Sequence, residues 1–450
     1  MARKVIVVGG TAAGLSAASK AKRLDPELEI IVFEKSGYIS YGSCGLPYFV
    51  GDMIKDPDDL VSLHVNDMRD KRGIPVFIHH EVTHVDSSAK KIQVKNLDDG
   101  SEQTHQYDDL VLATGASPIK PIVPGVDSDG VYFLRTVEDG VRLKGAVRKG
   151  MSAAIVGGGF IGLEVAEELT AQGVKVHVFE ALPRLLPFLP ESYSQMVLET
   201  LETNGVTVHL GEPVMALASS EGKVCGITTA SGTVECSMVL MSIGVVPNNA
   251  LAKEAGLELG IKGSIVVDNR MRTSDPSIWA CGDCAQTENS ITGQSAYIPL
   301  GTTANKMGRV AGSNIGGEDS SFHGVLGSQV TKVFDLYIAA TGLNLKQAID
   351  AGFAAVESQV VKGDKASYYP SAKPMYLNFI LDSSTGRLLG AQSLGSEASA
   401  IRMDALAVAV DAGMTVSRIN DLDLIYVPPV APVYDPILIA ASQAMKKVRS

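Results

Sequence analysis

Residues 4–14 read KVIVVGGTAAG, an apolar run that ends in a turn of small residues. The run predicts a strand from Lys4 to Val8, and the Ala-, Ser- and Lys-rich segment after the turn predicts a helix. Such a turn lets the backbone approach a pyrophosphate, and the N-terminus of the helix offers N–H groups without partners inside the helix. A second apolar run, residues 30–33, predicts a strand that ends at Glu34, whose carboxylate can accept hydrogen bonds from a ribose. The predicted dinucleotide cradle consists of Gly9, Thr11, Ala12, Ala13, Gly14 and Glu34.

The same layout recurs at residues 153–162, which read AAIVGGGFIG and precede a predicted strand over 175–179 that ends at Glu180. The acid follows the first glycine by 25 residues in the first copy (34 − 9) and by 23 residues in the second (180 − 157). Both spacings fit an acid roughly 20 residues beyond the glycines. A tight turn without a ligand is the alternative for one copy, and Thr11 in place of the usual middle glycine weakens the first, but the repetition favours two nucleotide sites. The second cradle is predicted to consist of Gly157, Gly159, Phe160, Ile161, Gly162 and Glu180.

The acid of the second cradle bears on which nicotinamide nucleotide binds. A carboxylate at this point accepts a hydrogen bond from a ribose 2′-hydroxyl and repels a 2′-phosphate. Glu180 therefore favours NADH, whereas the nearby Arg184 leaves NADPH open.

Four further segments are predicted to complete the two sheets. Residues 110–115 and 239–244 each read as a buried strand closed by glycine. Residues 278–285 place an acid after another apolar strand, and residues 299–304 open a helix whose N-terminus can stabilise negative charge. The candidate binding residues in these segments are Thr114, Gly115, Gly244, Gly282, Asp283, Leu300, Gly301, Thr302 and Thr303.

Composition narrows the class of protein. A chain of 450 residues predicts several domains, and a net charge of −11 argues against nucleic-acid binding, which needs basic patches. No window approaches the roughly 20 apolar residues of a membrane span, so we expect a cytoplasmic protein. Five cysteines do not suggest an extracellular disulfide framework. Cys281 and Cys284 have the spacing of half a zinc site, but no further ligands are nearby, and no metal is predicted.

Together, these motifs resemble the pyridine nucleotide-disulfide oxidoreductases over nearly the whole chain. The resemblance implies an α/β fold with two Rossmann-like dinucleotide-binding domains, one for FAD and one for NAD(P)H, and a C-terminal α+β dimerisation domain. The expected divisions are residues 1–115 and 246–320 for FAD, 116–245 for NAD(P)H and 325–450 for dimerisation.

The resemblance also implies residue roles. The first cradle, together with Lys35, Ser43 and the segments that contain Thr114 and Asp283, would hold FAD, and the second cradle would hold the nicotinamide nucleotide. Phe160 falls where the family often has an aromatic gate over the flavin, and Glu164 would lie near the nicotinamide.

Residues 40–48 read SYGSCGLPY and place Cys44 ten residues beyond Glu34. The resemblance assigns this cysteine to a branch of the family that uses a single redox thiol, because the position five residues further on is Phe49 and no histidine follows His323. That branch contains coenzyme A-disulfide reductases, persulfide or polysulfide reductases, NADH oxidases and NADH peroxidases. The disulfide partner of Cys44 would then come from a small molecule, and coenzyme A is a candidate for a bound mixed disulfide.

Four positions divide these activities by resemblance. Tyr368 in a Tyr-Tyr-Pro stretch and Tyr426 in a Tyr-Val-Pro-Pro stretch match the tyrosines with which coenzyme A-disulfide reductases reach the thiol of the partner subunit, which implies a homodimer. Ala12 stands where the oxidases and peroxidases have histidine. Ser43 differs from the Asn of many coenzyme A-disulfide reductases.

Two other activities stay open at this point. An NADH oxidase would reduce oxygen to water or peroxide through a sulfenic acid on the same cysteine. An electron-transfer flavoprotein that serves rubredoxin or a ferredoxin-like protein would not need Cys44.

The remaining cysteines and a group of basic residues are predicted with less defined roles. Cys225 and Cys236 are expected to be buried thiols, and Cys281 and Cys284 are expected to have no dithiol function. The basic residues Lys20, Lys22 and Arg23 could attract the ADP end of coenzyme A, although a solvated helix face explains them equally well.

Overall fold

The structure is a computed structural model that describes residues 2–449. Its amino-terminal part begins with the predicted strand, turn and helix, and the first two strands pair in parallel from Lys4 opposite Glu29 to Val8 opposite Phe33. A three-stranded antiparallel meander follows before the chain returns to this sheet. The elements up to residue 112 are β1 (Lys4–Val8), α1 (Ala12–Leu24), β2 (Glu29–Phe33), α2 (Leu46–Val50), β3 (Val76–Phe77), β4 (His80–Asp86), β5 (Lys91–Asn96), β6 (Glu102–Gln106) and β7 (Asp109–Leu112).

The next part of the chain repeats this plan. The chain enters and leaves this part through two short strands that pair with each other in antiparallel fashion. A second meander covers one face of the parallel sheet of this part. Its elements are β8 (Ala116–Pro118), β9 (Val131–Tyr132), α3 (Val137–Ala146), β10 (Ser152–Val156), α4 (Phe160–Ala171), β11 (Lys175–Glu180), α5 (Glu191–Thr203), β12 (Thr207–Leu210), β13 (Ala216–Ser220), β14 (Lys223–Thr229), β15 (Gly232–Glu235), β16 (Met238–Met241) and β17 (Val245–Pro247).

The chain then rejoins the first sheet and continues into a C-terminal part built on an antiparallel sheet. The elements that rejoin the first part are α6 (Ala250–Glu254), β18 (Ile278–Ala280), β19 (Thr287–Glu288), β20 (Ser295–Ala296) and α7 (Gly301–Ile315). The C-terminal elements are β21 (Gln329–Val333), β22 (Leu336–Gly342), α8 (Leu345–Asp350), β23 (Ala355–Gly363), β24 (Pro374–Asp382), β25 (Leu388–Gly395), α9 (Glu397–Asp411), α10 (Val416–Asn420) and α11 (Pro436–Met445).

The two parallel sheets have matching strand orders. The first is β18-β7-β1-β2-β3, and the second is β12-β11-β10-β16-β9, so β1 and β10, which lead into the glycine-rich turns, hold equivalent places. Strands with both faces covered are apolar along their length, which explains why these segments could be recognised from sequence. Ligands of such sheets bind at the carboxyl ends of the strands. The predicted α/β fold with two Rossmann-like sheets is confirmed.

One apolar cluster connects the three parts of the molecule. It contains Leu46 and Phe49 of α2, Leu163 of α4 and Leu394 of β25, all of them buried. The helix that follows Cys44 therefore belongs to the same core as the second parallel sheet and the antiparallel sheet.

Candidate functional site

Two glycines of the first glycine-rich turn have no room for a side chain. Gly9 has a φ of +111°, and a Cβ there would lie 2.2 Å from the carbonyl oxygen of Ala113. A Cβ on Gly14 would lie 1.9 Å from the carbonyl oxygen of Gly9. Thr11 stands directly before α1 without a side-chain capping bond to the helix, so that the first-turn N–H groups face the end of the sheet.

Glu34 closes this cradle from the end of β2. Its Oε2 accepts a hydrogen bond from the N–H of Gly10 at 2.7 Å, and its Oε1 accepts one from the N–H of Ser36 at 2.8 Å. A carboxylate has about four acceptor positions, so the buried group keeps capacity for ribose hydroxyls. The exposed Lys35 follows immediately.

The second turn has the same backbone conformation as the first and the same kind of hydrogen bonds to its acid. Gly157 also has a φ of +111°, and a Cβ on Gly162 would lie 2.2 Å from the carbonyl oxygen of Gly157. Glu180 accepts hydrogen bonds from the N–H groups of Gly158 and Leu182, each at 2.8 Å. The repeat predicted from spacing therefore extends to the hydrogen bonds between acid and turn.

A small group of polar contacts holds the connection between the two parallel sheets, where β8 pairs with β17. Thr114 Oγ1 donates to the carbonyl oxygen of Asn248 at 2.6 Å, and Asn248 Nδ2 donates back to the carbonyl oxygen of Thr114 at 2.8 Å. The N–H of Asn248 also donates to the carbonyl of Gly115. In the same connection, Gly244 has a φ of +106°, and its carbonyl accepts a hydrogen bond from the N–H of Ile119.

Gly282 and Asp283 lie beside the first turn of α1. A Cβ on Gly282 would lie 2.7 Å from the Cβ of Ala13. Asp283 forms an ion pair of 2.6 Å with Arg135, which comes from just before α3. Sequence reasoning missed Arg135 because 148 residues separate it from Asp283 and no motif marks it.

Helices α1 and α7 pack with their backbones almost in contact. A Cβ on Gly308 would lie 2.2 Å from the carbonyl oxygen of Ala13, and one on Gly312 would lie 2.3 Å from that of Ala17. The residues in contact follow the same order along both helices, so the helices run parallel. At 1.5 Å per residue, Gly301, the first residue of α7, lies about 10 Å beyond the level of Ala13. The N-termini of both helices thus point to the same edge of the sheet, with Leu300 directly before α7, Thr302 exposed and Thr303 buried.

Cys44 is an exposed free thiol in a single helical turn, Ser43–Gly45, that leads directly into α2. The N–H of Ser40 donates to the carbonyl of Gly10 in the first turn at 3.0 Å. At the other end, Gln172, which directly follows α4, donates from Nε2 to the carbonyl of Val50 at 2.8 Å. The segment that carries Cys44 is therefore held between the first turn and helix α4, which begins at the second turn.

The groups near Cys44 include Tyr48, one helical turn along. Burial raises the pKa of Tyr48 to about 12, and negative charge on Glu164 contributes in the same direction. Phe49 is 3% exposed and belongs to the core, so its position supplies no second redox group.

Phe160 and Glu164 lie on the first turns of α4. The ring of Phe160 packs edge-on against Phe188, with 5.9 Å between the ring centroids and an interplanar angle of 79°. Glu164 accepts a hydrogen bond of 2.7 Å from Thr331 of β21. Burial raises the pKa of Glu164, and the hydrogen bond from Thr331 opposes that shift. Ile161, the other predicted residue of this turn, is 40% exposed.

Tyr368 and Tyr426 lie together on the surface of the C-terminal part, with 73% and 49% exposure. A hydrogen bond with Tyr426 raises the pKa of Tyr368. Arg402 holds the two loops in place, because its guanidinium donates to the carbonyls of Asp364 at 2.9 Å and Val430 at 3.3 Å. Sequence reasoning identified the tyrosines but not Arg402.

The other cysteines differ in accessibility. Cys281 and Cys284 are completely buried, burial raises the pKa of both thiols, and Cys284 Sγ donates to the carbonyl of Leu112. Cys236 is also buried, and burial raises its pKa to about 11. The prediction that Cys225 is buried was wrong: this residue is exposed on β14, where the alternation of strand side chains turns it to solvent.

The basic residues of α1 are mostly engaged within the chain. Lys20 pairs with Glu318 at 2.8 Å, and Lys22 donates to the carbonyls of Pro26 and Leu28, both at 2.7 Å. Arg23 is exposed at the end of the helix. Of this group, Arg23 is therefore the residue whose charge is most accessible to a ligand.

Two other kinds of feature are absent from residues 2–449. No group of three or more His, Cys, Asp or Glu side chains is arranged to hold a metal ion. No helix there is both long and apolar enough to cross a membrane.

Two nucleotide cradles, with an exposed cysteine on a segment that joins the first turn to the helix following the second, define a nucleotide-dependent thiol oxidoreductase. Residues 3–308 match the family described as pyridine nucleotide-disulphide oxidoreductase, and residues 328–435 match its dimerisation domain. The chain belongs to this family.

Three relatives show how the family varies around this sequence. An NAD(P)H coenzyme A polysulfide/persulfide reductase of Pyrococcus horikoshii is 36% identical over 446 residues, which cover 98% of each chain. An NADH oxidase of Methanocaldococcus jannaschii is 36% identical over 448 residues, 99% of each chain. The structure of an NAD-dependent persulfide reductase from A. fulgidus matches with a TM-score of 0.95 and 38% identity, covering 99% of this chain and 83% of that one.

Proposed function

We propose that the protein is an FAD-dependent NAD(P)H oxidoreductase that reduces the sulfur–sulfur bond of coenzyme A disulfide, coenzyme A persulfide or polysulfide. The observation that carries this proposal is the exposed Cys44, held between the first cradle and helix α4 with the buried Phe49 where a second cysteine would be needed for an internal disulfide. For disulfide chemistry, a thiol without an internal partner needs the disulfide or sulfane sulfur of a small molecule.

The first cradle fits FAD because the close approaches at Gly9, Gly14 and Gly282 let the turn, the start of α1 and the Gly282–Asp283 segment pack tightly at the N-terminus of α1, where a pyrophosphate can accept backbone N–H bonds. When bound, FAD accepts a hydride from NAD(P)H and supplies two electrons to a sulfur–sulfur bond. The residues proposed to hold it are Gly9, Thr11, Ala12, Ala13, Gly14, Glu34, Lys35, Ser43, Thr114, Gly115, Gly282, Asp283, Leu300, Gly301, Thr302 and Thr303. Arg135 is added to them because its charge lies beside Asp283.

The second cradle is proposed to bind the nicotinamide nucleotide through Gly157, Gly159, Phe160, Ile161, Gly162, Glu164, Glu180 and Gly244. The fixed carboxylate of Glu180 supports NADH over NADPH, because it would repel a 2′-phosphate. Arg184 donates to the carbonyl of Pro187 at 2.9 Å, which engages part of the charge that could have attracted that phosphate.

At rest, Cys44 Sγ is proposed to share a disulfide with a substrate thiol such as coenzyme A. Two electrons from NAD(P)H cleave this bond, which leaves a Cys44 thiolate and releases the substrate thiolate. The Cys44 thiolate then attacks the next disulfide, forms a new mixed disulfide and expels a second thiolate. In sum, NAD(P)H, one proton and one disulfide give NAD(P)⁺ and two thiols.

The chain is proposed to act as a homodimer, in which Tyr368 and Tyr426 protonate or hydrogen-bond the departing thiolate at the Cys44 of the partner subunit. The match of residues 328–435 to the dimerisation domain and the exposure of both rings support this arrangement. The proposed divisions are residues 1–115 and 246–320 for FAD, 116–245 for NAD(P)H and 325–450 for dimerisation. The pairing of β8 with β17 supports the division between the FAD and NAD(P)H domains, because these two strands lie where the chain passes from one to the other and back. A cytoplasmic location fits the five free thiols.

Reduction of oxygen is the second candidate function, because a relative of equal identity is named NADH oxidase. In that reaction, Cys44 would cycle between thiolate and sulfenic acid. Ala12 in place of a histidine argues for the sulfur substrate.

The test compares NADH oxidation with coenzyme A disulfide, with polysulfide and with oxygen as sole acceptor. We expect the wild type to favour a sulfur acceptor, Cys44→Ser to lose that activity, and Cys225→Ser, which alters the other exposed cysteine, to retain it. Equal sulfur reduction by Cys44→Ser and wild type would refute the proposal, and a preference for oxygen would favour the oxidase.

A further inference from the structure

Gln392 connects the antiparallel sheet of the C-terminal part to the nucleotide-binding part. Its side chain, 3% exposed, lies on β25, and its Nε2 donates a hydrogen bond of 2.8 Å to the carbonyl oxygen of Phe188. Phe188 lies in the loop between β11 and α5, 204 residues away in sequence. A buried amide therefore holds one point of this loop from another domain.

The amide of Gln392 is itself fixed in orientation. Asn378, which lies opposite it on β24 and is 1% exposed, donates from Nδ2 to Gln392 Oε1 at 2.9 Å. The same Nδ2 also donates to Oε2 of Glu357 on β23 at 3.2 Å. Since the oxygen of Gln392 accepts from Asn378, its nitrogen is directed at Phe188.

The loop that Gln392 contacts contains an energetically unfavourable backbone conformation. Leu186, two residues before Phe188, has a φ of +45°, in the left-handed region that residues other than glycine seldom occupy. Such a conformation persists when its surroundings determine it fully. Leu185, Leu186 and Leu189 are buried in the same cluster as Leu394 of β25, so the C-terminal sheet supplies part of those surroundings.

The loop in turn packs against the second cradle. The ring of Phe188 meets the ring of Phe160 edge-on, and Phe160 is the first residue of α4 after the glycine-rich turn. The same helix is held on another side by β21, where Thr331 donates to Glu164 and Lys332 pairs with Glu167. The C-terminal part thus contacts α4 directly and reaches the Phe160 ring through Phe188.

We propose that Gln392 is a positioning residue for the nicotinamide site: it fixes the carbonyl of Phe188, and the Phe188 ring then holds Phe160 in place. The inference rests on the proposed function, in which Phe160 lies where the nicotinamide meets the flavin. It gives the C-terminal domain a role in aligning NADH, in addition to dimerisation.

The test uses the FAD-loaded protein and the variant Gln392→Met, which keeps the length of the side chain and removes both its donor to Phe188 and its acceptor for Asn378. Gln359→Met is the matched control, because Gln359 belongs to the same sheet but is exposed and has its side-chain hydrogen bond only to Glu357. Hydrogen exchange of residues 182–190 should become about tenfold faster in Gln392→Met and stay unchanged in the control. Phe188→Leu, which removes the ring contact, serves as a second variant if Gln392→Met folds poorly.

Kinetics separate positioning from a general loss of structure. We expect kcat/KM for NADH to fall about tenfold in Gln392→Met, while reoxidation of the reduced enzyme by the sulfur substrate keeps its rate. If Gln392 acts through Phe160, Gln392→Met should cause no further loss in a Phe160→Ala background. Additive losses, equal losses in both half-reactions, or unchanged exchange of the loop would overturn the inference.

The result for Phe160→Ala alone distinguishes this inference from the proposed function. Wild-type NADH kinetics in Phe160→Ala would refute the gate role of Phe160 and with it this inference, while Cys44→Ser would still test the thiol chemistry. A defect in Phe160→Ala without any defect in Gln392→Met or Phe188→Leu would overturn the inference alone.

Discussion

Replacing Arg402 by methionine should destabilise the protein strongly. The Arg402 side chain is 12% exposed and pairs with Asp435, 6% exposed, at 2.9 Å. It also donates to the carbonyls of Ala398, Asp364 and Val430. Removing one partner of a buried pair leaves an uncompensated charge, which costs about 3–5 kcal/mol. Asp435 keeps only its hydrogen bond from the N–H of Ile437.

The assay is denaturant unfolding at one fixed protein concentration, because dimerisation makes stability depend on concentration. Lys346→Met is the control: Lys346 pairs with Asp350 across an exposed helix surface, with 83% and 60% of the side chains accessible, and should change stability by less than about 1 kcal/mol. We also expect Arg402→Met to lose disulfide-reductase activity, because the loops of Tyr368 and Tyr426 lose their common anchor. A stability within about 1 kcal/mol of wild type would refute this reasoning.

Three further changes test other parts of the structure. Burial raises the pKa of Glu164, so the folded protein is more stable with this carboxyl protonated and loses that stability as pH rises through the raised pKa. Calorimetry should therefore give Glu164→Gln, which stays neutral, a higher melting temperature than wild type at alkaline pH. In acid, the two melting temperatures should be equal. Replacing both Cys281 and Cys284 by alanine should leave NADH-dependent sulfur reduction intact, since both thiols are completely buried, and loss of activity with FAD still bound would contradict this. Gly308→Ala should cost about 1–3 kcal/mol in chemical denaturation, because its Cβ would lie 2.2 Å from the carbonyl oxygen of Ala13; an unchanged midpoint would contradict the close helix packing.

The two sheets and their turns could be predicted because they depend on local patterns. The strand beginning at Lys4 and the later one ending at Glu180 were found from apolar runs, a glycine turn and an acid at a fixed distance, and the structure confirms these strands. Local spacing also brought each acid to its turn, where it accepts an N–H bond.

Contacts between distant segments could not be predicted in this way. The pairing of Arg135 with Asp283 and the contact of Gln392 with Phe188 join residues far apart in sequence, and an isolated Arg or Gln has no distinctive pattern around it. The error at Cys225 has a related cause: the Gly226 that follows it has no side chain, so the short segment does not show which face of β14 is turned to solvent.

Anaerobic titration of the purified protein with NADH, followed by mass analysis of the peptide that contains Cys44, tests the role of this thiol most directly. The proposed chemistry predicts a coenzyme A adduct on Cys44 before reduction, released as the free thiol when NADH is added. A sulfenic acid at Cys44, or a Cys44 peptide whose mass is that of the unmodified thiol both before and after NADH, would contradict it.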